Sequence, residues 1–530
     1  MTIRAGRWLV AVCLGALLLR GALALFAEHP GVADPNHYYN LGRQLLAGRG
    51  FETGYVWHYY NPPETITHPD DFWMPLAGVL AAGGMAVFGE TVQGALVPFI
   101  LLGALLPLAV YAAARQFGCG AECALYAAGF GAVLPEFVMN SVRTDTLIPN
   151  AVFVTLAIVL LVEGLRRGGW RAYAASGLFA GLAYLTRGDN LLLIPMVLVT
   201  LAVYALAARR GLIDLPRRWW AGALLALVVA GAVAAPWIAR NLNATGSALT
   251  PNLSRAFFLT DFRDHYAYGR DLTWDTLRAS QTWGQIIGKR LFELAASAKL
   301  MYTTLDLALP VAIGGGLLLL IARRSAARLL ALAPALILLG GSLVFYTVLS
   351  PYGSQGGSFK KAYLSLVPLL LPVGAYAFEQ AIPRLAYRRA AVLLTLAFMT
   401  ANAVELTRAD IRFNTAYLRE MEKVRDAALA LPDANGDGEI ILMAQDPFML
   451  RSLGLRSVMI PMEDRATVLE VARRYGADYL MMPPARPSLD PLYSGEETDP
   501  RFVLAAEVPG TAIELYGFDF DAPASEAGAP

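Results

Sequence analysis

The sequence predicts a polytopic α-helical membrane protein with a small α/β domain near its C-terminal end. Of its 530 residues, 56% are hydrophobic and only 16% are charged, whereas soluble domains carry about 25% charged residues. The mean hydropathy is +0.47, and the apolar residues form runs of about 20, the length that a helix needs to cross a bilayer. The net charge of +1 says nothing about nucleic acid, but the sequence has no basic tail or stripe, so no nucleic-acid partner is expected.

Eleven apolar runs are long enough to span a membrane. They are residues 8–27, 92–114, 120–140, 146–165, 170–186, 190–208, 219–238, 302–322, 328–349, 362–381 and 389–407. The N-terminal segment MTIRAGRWLV resembles the start of a signal peptide, but the apolar run after it is too long and lacks a clear small-x-small cleavage site. We therefore interpret it as an uncleaved first span.

Arginines predict the orientation, because short cytoplasmic loops are rich in Lys and Arg. Arg4 and Arg7 place the N-terminus in the cytoplasm. Later arginine groups fall at alternate junctions, at Arg115, Arg166–Arg167, Arg209–Arg210, Arg323–Arg324 and Arg388–Arg389. A short Gly- and Ala-rich run, Phe72–Phe88, would break this alternation if it crossed, so we expect it to lie at the outer interface.

The orientation places two long loops, 28–91 and 239–301, and the whole segment after residue 408 on the outer face. Within 409–518, the strand-like Ile440–Met443, the strand-like VMIP and the amphipathic Arg465–Tyr475 are followed by the strand-like Asp478–Met482, which predicts a small α/β layer. The Pro-, Ala- and acid-rich tail, 519–530, is typical of disorder.

Two other patterns carry no site. The segment Asp433–Ile440, DANGDGEI, is similar to the front half of a calcium loop, but its twelfth position is Ala444 instead of a bidentate carboxylate. We expect an Asn/Asp/Gly turn there. The three cysteines, Cys13, Cys119 and Cys123, lie in or beside apolar stretches, which predicts no disulfide framework.

Six segments, in chain order, resemble motifs of the C-type (GT-C) membrane glycosyltransferases that use polyprenyl-phosphate sugars. Their relatives include the dolichyl-phosphate-mannose protein mannosyltransferases and the bacterial aminoarabinose transferases. The segments are ADPNHYYNLGRQLLAGRGF, HPDDFWMPLAGVLAAGGMAVFGE, SVRTDTLIPN, YLTRGDNLLLIP, PWIARNLNATGSALTPN and KAYLSLVPLLLP. The first resembles the acidic first-loop motif, the third a second acidic site, and the fifth the start of a large outer loop.

The resemblance implies a transmembrane catalytic module over 1–408 that transfers a sugar from a polyprenyl-phosphate donor, with inversion, to a hydroxyl of a glycan, lipid or protein acceptor. It also implies action on the outer face of a bacterial plasma (inner) membrane, with the C-terminal domain periplasmic or extracellular. The alternatives are a lipid or sugar transporter or flippase, and a non-catalytic envelope assembly protein. Charged residues gathered at one face and the lack of a clear repeat disfavour a transporter.

Two carboxylates are candidate catalytic residues. A phosphate-linked sugar already has a good leaving group, so the chemistry needs a base for the acceptor hydroxyl and cations for the departing phosphate. Asp34 is the candidate base, the alternative being an N-cap for the following helix. Asp145 is a candidate helper base or acceptor ligand, the alternative being a surface pair with Arg143. The family motif often has a second acid where Pro35 stands here, so any partner of Asp34 must come from another segment.

Cations on the outer side are candidates for binding the lipid phosphate. Four are expected there, namely Arg187, Arg240, Lys360 and Lys361, and the alternative is that they anchor helices at the interface. The Gly/Ser-rich loop SPYGSQGGSFKKA that precedes the last two is a candidate cover for the donor.

Three residues of the first outer loop complete the predicted substrate site: His68, Asp71 and Tyr38. His68 is a candidate sugar ligand, helix capping is the alternative for Asp71, and Tyr38 belongs to an aromatic group that suits either sugar stacking or an interfacial belt. No cofactor is expected to be required, although His58 and His68 with Asp34 leave a divalent metal possible.

Overall fold

The computed structural model describes residues 3–250, 255–306, 308–352, 357–436 and 438–523. The chain divides into two compact units. The membrane unit comprises Met1–Pro30, Asp71–Phe257 and Thr282–Asp410, and the sheet unit comprises Gly31–Asp70, Phe258–Gln281 and Ile411–Pro530. The sequence-based boundary at 408/409 stays a prediction, and the sheet unit also takes in parts of the segments 28–91 and 239–301.

In chain order the described α-helices are α1 (Ile3–Ala24), α2 (Asp34–Leu46), α3 (Leu76–Phe88), α4 (Val92–Phe117), α5 (Ala121–Val133), α6 (Pro135–Asn140), α7 (Leu147–Arg167), α8 (Trp170–Thr186), α9 (Leu193–Arg209), α10 (Trp219–Thr245), α11 (Trp274–Ser280), α12 (Trp283–Thr303), α13 (Ala308–Ala322), α14 (Ala326–Val344), α15 (Ser358–Ala381), α16 (Leu385–Leu429), α17 (Pro447–Ser452), α18 (Arg465–Tyr475) and α19 (Asp490–Tyr493). The strands are β1 (Glu52–Val56), β2 (Thr67–Pro69), β3 (Ile441–Ala444), β4 (Arg456–Met459), β5 (Tyr479–Met482), β6 (Phe502–Glu507) and β7 (Glu514–Phe518).

The membrane unit confirms the predicted helical class. Within the described residues, eight helices are long and apolar enough to cross a membrane, or nine if α12 and α13 form one broken span. The predicted count of eleven is not confirmed, because α8 has 17 residues and the run 120–140 is interrupted after Val133. Leu134 adopts an extended backbone, which the residue before a proline favours, so α5 and α6 are two short helices.

Two helices form the interior of the membrane unit. The apolar windows of α7 and α15 are 83% and 89% buried, so both are surrounded by other helices. Helices α8 and α10 pack closely because Gly177 has no side chain: a Cβ there would lie 2.2 Å from the Ala226 carbonyl oxygen. Small residues allow such backbone approaches in membrane helices. Helix α3 has only 13 residues, fewer than a crossing requires.

A buried arginine joins α1 to the break between α5 and α6. Arg20 is fully buried, and its guanidinium donates hydrogen bonds to Ser141 Oγ at 2.9 Å and to the Ala132 carbonyl at 2.8 Å. That carbonyl lies in the last turn of α5, where helices leave carbonyls without an internal partner. A cation there is favourable, so Arg20 stabilises the interrupted segment that leads to the second acidic motif.

The sheet unit contains one seven-stranded sheet of order β2-β1-β4-β3-β5-β7-β6. The strands β1, β4, β3 and β5 are parallel, and β2, β7 and β6 pair antiparallel to their neighbours. The α/β layer was predicted from β3, β4, β5 and α18, and the structure contains all four. The hairpin β1–β2 comes from the segment 28–91, and Val56 pairs with Val458 across about 400 residues of sequence.

The turn before β3 is held within the sheet unit. Asp433 accepts backbone N–H hydrogen bonds from Asn435 and Gly436, as expected for an Asn/Asp/Gly turn, and Asp478 accepts another from Asn435. The first residues of the acid-rich tail are also described, and Phe520 stacks on Phe518 at 5.7 Å. The prediction for residues 524–530 lies outside the described residues.

Candidate functional site

The candidate base Asp34 opens helix α2 in the sheet unit. Ala33 before it has φ 61° and ψ −123°, a conformation that costs a non-glycine residue about 1–3 kcal/mol and that clusters at functional sites. Ala33 occupies the N-cap position, so Asp34 is not the N-cap residue that the alternative reading required. Asp34 is half-buried, which leaves its carboxylate partly accessible.

A buried histidine network lies one helical turn further along α2. His37 Nε2 is 3.2 Å from Asp70 Oδ2, and His37 Nδ1 is 2.5 Å from the Tyr55 hydroxyl. Both His37 and Asp70 are 1% exposed. Residues three apart on a helix lie on the same face, so Asp34 and His37 share one side of α2, and the network fixes the start of this helix.

Carboxylates and burial together keep the Tyr55 phenol protonated. Burial raises the pKa of Tyr55 well above its usual value, and the nearby carboxylates of Asp70, Asp446 and Asp34 raise it further. Burial also raises the pKa of Asp446, although that carboxylate accepts a hydrogen bond from the Tyr417 hydroxyl at 3.1 Å. The sequence analysis did not identify His37, Tyr55 or Asp446.

The remaining candidates from the segment 28–91 are Tyr38, His68 and Asp71. Tyr38 is buried with its ring 5.1 Å from that of His37 in an edge-on arrangement. His68 lies opposite Thr53 in the β1–β2 hairpin and contacts its hydroxyl at 3.3 Å. Asp71 is half-buried and belongs to the membrane unit.

The described part of the chain holds no group of three or more His, Cys, Asp or Glu residues that suits a metal ion. The ring of His58 lies 5.4 Å from that of Tyr60, and His68 contacts the Thr53 hydroxyl. Whether the reaction needs a metal stays a prediction.

The second candidate carboxylate, Asp145, forms a buried ion pair in the membrane unit. Its Oδ2 lies 2.8 Å from Lys361 Nζ, and the two side chains are 2% and 17% exposed. Its Oδ1 accepts a hydrogen bond from the Leu147 backbone N–H at 3.1 Å. Burial opposes ionisation, but Lys361, Arg143 and this N–H outweigh it and hold the pKa of Asp145 below its usual range. Asp145 is therefore a carboxylate at neutral pH.

The alternative pairing of Asp145 with Arg143 is not what the structure shows. Arg143 forms a two-point contact with the Asp410 carboxylate and acts on Asp145 only through its charge. The neighbouring Lys360 pairs with Glu136 at 2.6 Å. Both adjacent lysines at the start of α15 are thus held by carboxylates, which hydropathy and the positive-inside pattern did not reveal.

Arg187 lies at the centre of a second polar group in the membrane unit. Its guanidinium binds the Asp189 carboxylate at two points, 3.1 Å and 2.9 Å, and donates to the Ser358 carbonyl at 3.2 Å. The Tyr346 hydroxyl donates to Asp189 at 2.7 Å. This ion pair could have been predicted from the sequence, because Asp189 lies two residues after Arg187 in YLTRGDN.

Amide and hydroxyl side chains connect the two ion pairs. Ser365 donates to the Lys361 carbonyl at 2.8 Å, Asn150 donates to Ser365 at 2.9 Å, and Asn190 donates to Asn150 at 2.6 Å. Asn190 also donates to the Arg187 carbonyl. A small cavity of about 10 Å³ adjoins these side chains, which is room for about one water molecule.

The fourth predicted cation, Arg240, is half-buried at the end of α10. Its guanidinium lies 4.8 Å from the Trp237 ring and donates to Asn241 at 3.0 Å, as the anchoring alternative would expect. The donor-covering loop prediction concerns residues 353–356 in part, and these lie outside the described residues.

The membrane unit thus brings together Asp145, Lys361, Lys360 and Arg187, and adds three polar partners that the sequence analysis missed: Glu136, Asp189 and Tyr346. Lysine and arginine side chains each carry several N–H donors, so these cations can contact a phosphate while they keep their carboxylate partners. The arrangement is therefore chemically suited to an anionic ligand.

Comparisons with known proteins agree with this setting. Residues 67–237 match the profile of the family described as dolichyl-phosphate-mannose-protein mannosyltransferase. Sequence comparison with curated proteins gave no match.

Two solved membrane proteins share the fold. One is ArnT from Cupriavidus metallidurans bound to undecaprenyl phosphate, with a TM-score of 0.58 and 15% identity over 96% of this chain and 97% of that one. The other is the oligosaccharyltransferase of Archaeoglobus fulgidus in complex with Zn and sulfate, with a TM-score of 0.57 and 15% identity over 89% and 67% of the two chains.

Proposed function

We propose that this chain is a multi-pass membrane glycosyltransferase of the GT-C superfamily, which the family match and the shared fold support, and that it transfers a sugar from a polyprenyl-phosphate donor to a hydroxyl of a glycan, lipid or protein acceptor. The ArnT structure contains undecaprenyl phosphate, which supports a polyprenyl-phosphate donor here. We place the reaction on the outer face of a bacterial plasma membrane, with the N-terminus cytoplasmic. Direct displacement at the anomeric carbon inverts its configuration.

The observation that carries this proposal is the polar chain from Asp145–Lys361 to Arg187–Asp189 inside the membrane unit. Ionisable groups within a membrane protein are costly and are usually kept for function. Two cations joined by hydrogen-bonding side chains suit a lipid phosphate, which carries negative charge and accepts several hydrogen bonds. Lys360 and Arg240 are additional candidates at the ends of α15 and α10.

In the proposed reaction Asp34 removes the proton from the acceptor hydroxyl while that oxygen attacks the anomeric carbon. The bond between this carbon and the phosphate oxygen breaks, and the electron pair leaves with polyprenyl phosphate. Cations lower the barrier by stabilising the negative charge that grows on the phosphate. Asp145 serves as a helper that orients Lys361, and Tyr38, His68 and Asp71 remain candidate sugar or acceptor ligands.

The test is release of polyprenyl phosphate from labelled donors, measured on the purified chain in lipid nanodiscs with a panel of hexose and pentose donors and hydroxyl acceptors. We expect Asp34→Asn to lower kcat by about 100-fold or more, the usual contribution of a general base, and Lys361→Met to raise KM for the donor. Matched controls are Asp426→Asn, which alters a carboxylate of the sheet unit that is 67% exposed, and Lys299→Met, an exposed lysine of α12.

A chain that releases no polyprenyl phosphate from any donor, or an Asp34→Asn variant with wild-type turnover, contradicts the proposal. Movement of the intact donor across the bilayer without release of polyprenyl phosphate would instead indicate a transporter. Inversion is checked separately by determining the anomeric configuration of the product.

A further inference from the structure

A second polar cavity lies entirely within the sheet unit. It has a volume of about 570 Å³, which is in the range of small-molecule sites, about 300–1,000 Å³. Three arginines from different segments line it: Arg49 after α2, Arg451 in α17, and Arg456 in β4. The proposed transfer reaction uses none of these residues.

The carboxylates of this cavity already have partners. Glu439 pairs with Arg456 at 2.9 Å, and Asp433 accepts backbone N–H hydrogen bonds from its own turn, including one from Gly438 at 2.6 Å. Within the described ranges, no carboxylate lies at ion-pairing distance from Arg49 or Arg451. Two guanidinium groups therefore line the cavity without a carboxylate partner.

The Arg451 guanidinium lies close against Gly54 of β1. A Cβ on Gly54 would lie 2.7 Å from Arg451 Nε and 2.8 Å from its Cζ, so only glycine lets the guanidinium lie against this strand. Burial lowers the pKa of Arg451, and the positive charges of Arg49, Arg456 and Arg43 lower it further. Like charges held this close repel one another, and a bound anion would relieve that repulsion.

We propose that this cavity binds a phosphorylated saccharide. The guanidinium group is a planar fork that binds phosphate at two points, and Arg49 and Arg451 supply two such groups. The cavity is larger than a bare phosphate, and Gln44, which is 7% exposed, and Thr67 also line it. Amide and hydroxyl side chains of this kind recognise sugar hydroxyls.

The proposal is tested by isothermal titration of the full chain in phosphatidylcholine nanodiscs with glucose 6-phosphate, and with glucose as the uncharged comparison. We expect binding of glucose 6-phosphate and none of glucose. Arg451→Gln and Arg49→Gln should each weaken binding by about tenfold, as expected for loss of one hydrogen bond to a charged group. Arg425→Gln, which alters an arginine that pairs with Asp426 and does not line the cavity, should bind as the wild type does.

Gly54→Ala provides an independent variant, because it displaces the Arg451 guanidinium without changing any charge. We expect it to weaken binding as Arg451→Gln does. Equal binding of glucose and glucose 6-phosphate, or unchanged affinity in Arg49→Gln, Arg451→Gln and Gly54→Ala, overturns the proposal.

The same chemistry is present in a phosphate-bearing lipid headgroup. Repeating the titration in nanodiscs that contain phosphatidic acid distinguishes the sources. If phosphatidic acid weakens the binding of glucose 6-phosphate to the wild type but not to Arg451→Gln, a membrane headgroup is an occupant of the cavity. If phosphatidic acid leaves the affinity for glucose 6-phosphate unchanged, the occupant is a soluble phosphorylated sugar. Either result supports the site. Turnover of polyprenyl-phosphate donors is measured in parallel, so that failure of the transfer reaction and failure of this site can be told apart.

Discussion

Replacing Lys361 with methionine removes the cation that lies 2.8 Å from the buried Asp145 carboxylate. Because Asp145 is 2% exposed on its side chain, the carboxylate then lacks both water and a direct counter-charge. Breaking a buried ion pair in this way costs about 3–5 kcal/mol. In Asp145→Asn the lysine remains, and since its side chain is 17% exposed we expect a smaller loss of about 1 kcal/mol.

The double variant, Asp145→Asn with Lys361→Met, restores a neutral site. It should therefore be more stable than Lys361→Met alone, which gives a coupling energy of about 2 kcal/mol between the two positions. The measurement is unfolding of the four proteins in the same detergent, followed by tryptophan fluorescence. If the destabilisations of the two single variants sum to that of the double variant within about 0.5 kcal/mol, the two positions are uncoupled. That result would refute the buried-pair interpretation.

The pH dependence gives a second readout of the same pair. In the wild type the pKa of Asp145 is below its ordinary value, so the stability it contributes is present above that ordinary value and is lost as pH falls through the folded-state pKa. Without Lys361, burial is opposed only by Arg143 and the Leu147 N–H, so the pKa of Asp145 rises. The deficit of Lys361→Met is then largest at neutral pH and shrinks on acidification, and a deficit that grows on acidification would contradict the argument.

Two further predictions concern the packing of the membrane unit. Gly177→Ala should lower the unfolding temperature, because the new Cβ would lie 2.2 Å from the Ala226 carbonyl oxygen. Gly231→Ala is the control: it has open space around it and should be neutral or stabilising by about 0.5–1 kcal/mol. Similar unfolding temperatures for both variants would argue against close contact of α8 and α10. Arg20→Leu should destabilise the protein by about 2–3 kcal/mol, because it removes charge-assisted hydrogen bonds to Ser141 and Ala132. If this variant is as stable as the wild type in the same unfolding assay, the bonds do not contribute to stability.

Local patterns predicted the parts of the fold that depend on local residues. Apolar runs gave the helical membrane class, and the amphipathic segment Arg465–Tyr475 coincides with α18 because its N-cap Asp464 and left-handed Gly476 mark both ends in the sequence. The strands Ile441–Ala444 and Tyr479–Met482 were likewise predicted within one residue. The hairpin β1–β2 was missed because its pairing with the C-terminal sheet involves residues about 400 positions away.

The residues of the candidate site also fall into those that local sequence patterns indicate and those that depend on tertiary packing. Arg187, Lys361 and Asp145 were candidates from the sequence because cations and carboxylates beside apolar runs are conspicuous there. Their partners were not, since Lys361 and Asp145 meet only when α15 packs beside the segment before α7. His37 was overlooked because its buried contacts are with Asp70 and Tyr55, which come together through the β1–β2 hairpin.

The position of β1 between β2 and β4 in the sheet also affects how the chain is made. Val56 leaves the ribosome about 400 residues before its partner Val458, a delay of roughly 20–80 s at ordinary rates of synthesis. During that interval the hairpin has no neighbour on the β4 side, and unpaired strand edges promote association with other chains. Biogenesis therefore has to protect this early-made hairpin until the last part of the chain is synthesised.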